Sequence, residues 1–241
     1  MTTYAPERRA ARVAGVWYLL LAIAGIFAYK YVPSLIASGN ATATASNFMA
    51  YGTVVRIGIV AELTEAVLSI FLVRALYRLL SGVNRSHASL MVTLVLVAVP
   101  IDFVVVLNEI AALMLYGNSS FLSVFGRPQL DAFALMFLDL HAQGLYVVSI
   151  FWGLWLFPFG VLVFRSGFIP RVLGVLLVIN GFAYLAIGLV SLVLPPYANG
   201  VSQALLLPEA LGELSIMLWL LIRGVRVEHR TAPSLAESLS L

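Results

Sequence analysis

Six carboxylates stand inside long apolar stretches of this chain: Glu62, Glu65, Asp102, Glu109, Glu209 and Glu213. One arginine, Arg56, and one histidine, His141, lie at comparable positions. Six acids cannot all ionise in a dry interior beside a single guanidinium. Some must keep their protons, face water, or bind a cation. Spacing groups them, because a helix turns by about 100° per residue. Asp102 and Glu109, seven apart, share a face, as do Glu209 and Glu213, four apart. Glu62 and Glu65 are neighbours on a third helix, with Arg56 nearer in angle to Glu62. The chemistry on offer is proton carriage, recognition of a cationic molecule, or metal binding. For a metal, His141 with Glu109, Glu62 or Glu213 is the ligand set available, oxygen-rich and suited to a hard cation.

Other chemistries fall away. The chain has no cysteine, so disulfides, thiolate ligands and a cysteine nucleophile are excluded. Haem held by two imidazoles needs paired histidines, whereas His87 and His141 belong to opposite ends of their helices. No nucleophile motif, phosphate loop or dinucleotide fingerprint is present. No cofactor beyond a metal ion is implied.

The elements that carry these groups are membrane helices. Apolar residues make up 62% and charged residues 10%, against soluble norms near 45–50% and 25%. Several runs reach the roughly 20 residues that span a bilayer. The reading is an all-α polytopic membrane protein with one six-helix domain over 1–226 and a disordered tail over 227–241. Its helices are expected at about 13–32, 53–80, 89–116, 131–164, 172–194 and 205–222. Pro158 should kink the fourth, Pro208 should sit in the first turn of the sixth, and 33–52 should be a connection broken by Pro33, Gly39, Asn40 and Gly52. Trp152 and Trp155 read as an interfacial belt. Gly174, Gly181 and Gly188 recur every seven residues, a stripe for close helix approach.

Basic residues orient the bundle. With both termini cytoplasmic, eleven of the fourteen lie inside: Arg8, Arg9, Arg12, Arg74, Arg78, Arg85, Arg165, Arg171, Arg223, Arg226 and Arg230. The net charge of +3 then reflects arginines facing an anionic leaflet, not nucleic acid. Counting helix rise from the inner boundary puts Glu65 at about 13 Å, Glu213 at about 15 Å and Glu62 at about 18 Å. On a straight helix His141 lies near 36 Å, at the outer side.

A resemblance agrees with this architecture. Arg12-Val13-Ala14-Gly15-Val16-Trp17-Tyr18-Leu19, Tyr77-Arg78-Leu79-Leu80 with Val83-Asn84-Arg85, and Leu138-Asp139-Leu140-His141 resemble a bacterial membrane family. So do Phe164-Arg165-Ser166-Gly167-Phe168-Ile169-Pro170-Arg171-Val172-Leu173-Gly174-Val175 and Gly212-Glu213-Leu214-Ser215 with Leu218-Trp219-Leu220-Leu221. The family is domain of unknown function 4386. The resemblance implies a multi-pass membrane protein and no particular activity.

The expected function is a transporter-like or ligand-binding bundle in the cell inner membrane. Its acidic cavity opens to the outer side, lined by Glu62, Glu109 and Glu213 with Arg56 and His141 toward the mouth. Its partners are the bilayer and a small cationic or lipid-like ligand. Two alternatives stand beside it: an intramembrane metal-dependent enzyme acting on a lipid-like substrate, and a non-catalytic structural component.

Overall fold

A chain with this much apolar surface must satisfy every backbone amide internally, and helices do so within one segment. The computed structural model describes residues 5–35, 40–117 and 120–224 and is helical throughout, with no strand among them. The elements are α1 (Ala5–Ile26), which passes through a π-helical turn (Phe27–Tyr31) into α2 (Val32–Ser34), then α3 (Ala41–Ala50), α4 (Gly52–Leu80), α5 (Arg85–Leu115), α6 (Arg127–Leu154), α7 (Leu156–Arg165), α8 (Arg171–Val193) and α9 (Ala198–Ile222). The tail expected to be disordered and the Glu209 side chain lie outside the described part.

Five helical stretches are long and apolar enough to cross a bilayer: Arg8–Ser34, Arg85–Leu115, Arg127–Arg165, Arg171–Val193 and Pro195–Ile222. Six were expected. The remaining long helix, α4, has 29 residues but carries Arg56, Glu62, Glu65, Arg74 and Arg78. It nevertheless turns Ile57, Val60, Val67 and Phe71 outward while burying both glutamates.

Several boundaries differ from expectation. The connection over 33–52 contains α3, whose first turn is capped by the Asn40 side chain accepting from the Ala43 N–H at 2.9 Å. The sixth helix begins at Ala198, not near 205, so Pro208 lies inside it and not in its first turn. The fourth begins at Arg127 and breaks at Trp155. That break is the work of Pro158, which has no N–H for the Leu154 carbonyl and crowds it.

The helices pack as a closed ring. α1 lies against α4, α4 against α5, α5 against α6 and α7, these two against α8, α8 against α9, and α9 against α1. Contacts run antiparallel around it. Between α1–α2 and α4, Trp17 stacks on Phe71 at 5.1 Å, while Gly58 backs onto Val32. In α6–α7 and α8, Gly160 faces Gly174, Gly153 faces Gly181, and Gly188 meets Ser149. The seven-residue glycine stripe is thus a packing seam, matched by glycines on the partner. A methyl group on Gly174 would sit 2.6 Å from the Gly160 carbonyl oxygen, too close for backbone to yield.

Two apolar clusters fill the ring. One gathers Tyr18, Leu72, Leu76, Met91, Phe159, Leu177 and Ile216 near the arginine-rich end. The other gathers Val32, Phe48, Val55, Ile59, Val106 and Ala134. The chain passes from one cluster to the other through Glu62 and Glu65 in α4, and through Asp102 in α5, so the acids form a layer between them.

Candidate functional site

α4 and α5 each turn one acidic stripe inward. Glu62 is 2% exposed, Asp102 3% and Glu109 5%. Glu65 is also buried, and Glu213 on α9 is partly so. Among the described residues no Lys or Arg pairs with Glu62, Glu65, Asp102 or Glu109. Arg56 does not enter the layer. It is exposed on α4, as is Val60 one turn on.

The layer has two ends. At one, His141 of α6 places Nε2 at 3.0 Å from Glu62 Oε1 and 3.2 Å from Glu62 Oε2. Glu109 joins from α5. One carboxylate oxygen from each glutamate and one ring nitrogen of His141 all lie within 4.8 Å of one another. Glu109 accepts no hydrogen bond among the described residues, although it is buried. Metal–ligand distances of about 2.0–2.2 Å put adjacent ligand atoms roughly 3 to 3.5 Å apart. The Glu62–His141 pair already has that spacing, and Glu109, within 4.8 Å of both, would have only to draw in to complete a three-ligand set.

At the other end, Glu213 collects neutral donors. The Tyr18 hydroxyl donates to Oε1 at 2.7 Å, the Tyr184 hydroxyl to Oε2 at 3.1 Å, and Asn180 Nδ2 approaches Oε2 at 3.5 Å. The structure therefore separates Glu213 from the Glu62–Glu109–His141 group, with Glu65 in electrostatic reach of both Glu213 and Glu62, and Asp102 in reach of Glu65 and Glu62. Glu65 accepts a long bond from the Tyr29 hydroxyl, 3.4 Å. Asp102 Oδ1 is buried and has no hydrogen-bond partner among the described residues.

Aromatic rings wall this layer, which corrects the interfacial reading of the two tryptophans. Trp152 sits between Tyr29 and Tyr184, with centroids 5.5 and 6.3 Å away. Trp155 is buried against Phe159 at 5.3 Å and Tyr18 at 6.4 Å. The sequence held a signal for this. Trp152 follows His141 by eleven residues and Tyr29 follows Tyr18 by eleven, about three full turns, so each pair shares a face. Asn180 and Tyr184, four apart, carried the same mark. Tyr29 also falls in the π-helical turn, a feature frequent at functional sites.

No curated protein and no solved structure matches the chain. The family described as a domain of unknown function (DUF4386) matches residues 13–224 of the 241, and the chain belongs to that family.

Proposed function

We propose that this protein is a transporter-like membrane bundle that binds a divalent cation between Glu62, Glu109 and His141. The observation that carries the reading is the convergence of three ligand atoms from three separate helices within 4.8 Å, in a layer with no paired Lys or Arg at Glu62 or Glu109 among the described residues. Two carboxylates and an imidazole suit a first-row divalent ion such as Mn²⁺ or Zn²⁺. Asp102 and Glu65 continue the acidic layer toward Glu213, a route by which protons or the ion could pass. A purely structural bundle would give each buried carboxylate a donor; Asp102 has the Trp152 indole, but buried Glu109 accepts no hydrogen bond among the described residues.

The membrane arrangement belongs to the same proposal. α4 is the sixth crossing: its 29 residues suffice, its outward face is apolar, and its acids point into the ring. Six antiparallel crossings leave both termini on one side, and the arginine bias makes that side cytoplasmic in a bacterial inner membrane. The Glu62–Glu109–His141 group then lies toward the outer half.

The binding test is calorimetric titration of purified protein with Mn²⁺ and Zn²⁺. Wild type should bind one ion, and Glu62→Gln, Glu109→Gln and His141→Ala should each weaken binding at least tenfold, while Arg56→Gln should not. Equal binding by all four variants would remove the reading. The absence of native cysteine makes single-cysteine labelling the matching test of topology. Cysteines placed at Arg9, Ser81 and Ser166 should label from the cytoplasmic side only.

A further inference from the structure

We infer that the cytoplasmic end of α1 is a binding site for one anionic phospholipid, its phosphate on Arg8, Arg9 and Arg12 and its chain along Val13, Val16 and Trp17. These six residues line a groove of about 590 Å³. The order of side chains along it is the order of groups in a lipid. All three arginines are exposed, and none forms an ion pair among the described residues. Arg9, Arg12, Val13 and Val16 follow one another at i, i+3, i+4 and i+7, so they occupy a single helix face. From Arg8 to Trp17 the helix rises by about 13 Å, enough to pass from a phosphate down to the first part of an acyl chain.

A second helix supports the same ligand. Trp17 is held by its stack on Phe71 of α4, 5.1 Å between ring centroids. Arg74 and Arg78 follow Phe71 by three and seven residues, on its face, and both are exposed. Because α1 and α4 are antiparallel, the steps from Trp17 up to Arg9 and from Phe71 up to Arg78 run the same way. Arg78 therefore stands level with Arg9 and Arg12 of α1, and Arg74 about 3 Å below Arg12. Arginine bias alone would spread charge over loops. Here the charge is concentrated on the α1 face that lines the groove and on the neighbouring α4 face, and guanidinium groups match phosphate oxygens in geometry.

The experiment uses full-length protein in detergent, titrated with phosphatidylglycerol or phosphatidylcholine carrying brominated acyl chains, with tryptophan quenching as the readout. Phosphatidylglycerol should quench at a concentration at least tenfold lower than phosphatidylcholine. The Trp17→Phe variant should lose the high-affinity quenching component, which places it at this groove. Replacing Arg8, Arg9 and Arg12 together by Gln should abolish the preference, and replacing them by Lys should retain most of it. Ten-millimolar inorganic phosphate should not compete, since the chain contributes to binding. Equal quenching by the two lipids in wild type would overturn the proposal, as would a preference that survives the triple Gln change in protein of unaltered helicity.

Discussion

His141 Nε2 lies 3.0 and 3.2 Å from the two oxygens of Glu62, tying α6 to α4 across 79 residues of sequence. Glu62 is buried almost completely, so the imidazole is its partner in place of water. The His141→Ala change leaves that carboxylate without a donor and should lower stability by about 1–3 kcal/mol. Glu62→Gln, which keeps shape and hydrogen-bonding capacity, should cost less. The double variant should lose less than the sum of the two, since both remove one interaction. Thermal unfolding in a fixed detergent measures all three.

The glycine seam makes a sharper steric claim. At Gly174 and Gly160 an added methyl meets opposing backbone at 2.6 and 2.7 Å. Gly174→Ala and Gly160→Ala should therefore each destabilise by about 1–3 kcal/mol, the usual cost of overpacking. Gly52 and Gly82 have nothing within 4 Å of an added methyl. Alanine at Gly52, the first residue of α4, should be neutral or stabilising by up to about 1 kcal/mol. Unfolding midpoints of the three variants on one scale would decide it.

Tyr18 and Tyr184 both serve Glu213 but not equally. Tyr18 is buried and donates at 2.7 Å, whereas Tyr184 donates at 3.1 Å. Tyr18→Phe should cost about 1 kcal/mol, with a smaller loss for Tyr184→Phe. Equal losses would mean that the two hydroxyls are interchangeable.

At the far end of α5, Tyr116 offers a pH signature outside the crossing helices. Arg127 stacks over its ring at 4.8 Å and pairs with Asp131 at 3.1 Å. Burial and then the Asp131 charge push the phenol up to about 12, with Arg127 opposing. A group raised above its unfolded value of about 10 stabilises fully below that value and loses the contribution as pH climbs through the folded one. The stability gap between wild type and Tyr116→Phe should therefore shrink between pH 10 and 12. A gap independent of pH would show that Tyr116 acts by packing alone.

The long helices were legible because each apolar run reaches membrane length, and the arginine-flanked turn at 165–171 marks where two of them meet. α3 was not, since its ten residues are mostly alanine, threonine and other small side chains and lie among breakers; yet Asn40, counted as one of those breakers, is its cap. The proline at 158 pointed to a bend, and the break falls one turn upstream, where the missing N–H leaves a carbonyl unpaired. That bend also explains the least legible feature. Counting rise along a straight helix from Arg165 set His141 about 18 Å beyond Glu62, whereas the broken helix brings the two into contact. Depth along one helix says nothing about tilt, so a pairing between α4 and α6 could not be read from spacing.

The central claim rests on a bound ion with one imidazole and two carboxylates. X-ray absorption at the zinc edge of Zn²⁺-loaded protein tests it most directly. The account predicts a shell of light ligands at about 2.0–2.1 Å, with the outer-shell scattering of a single imidazole that vanishes in His141→Ala. A spectrum unchanged by that substitution, or one matching aqueous zinc, would contradict it.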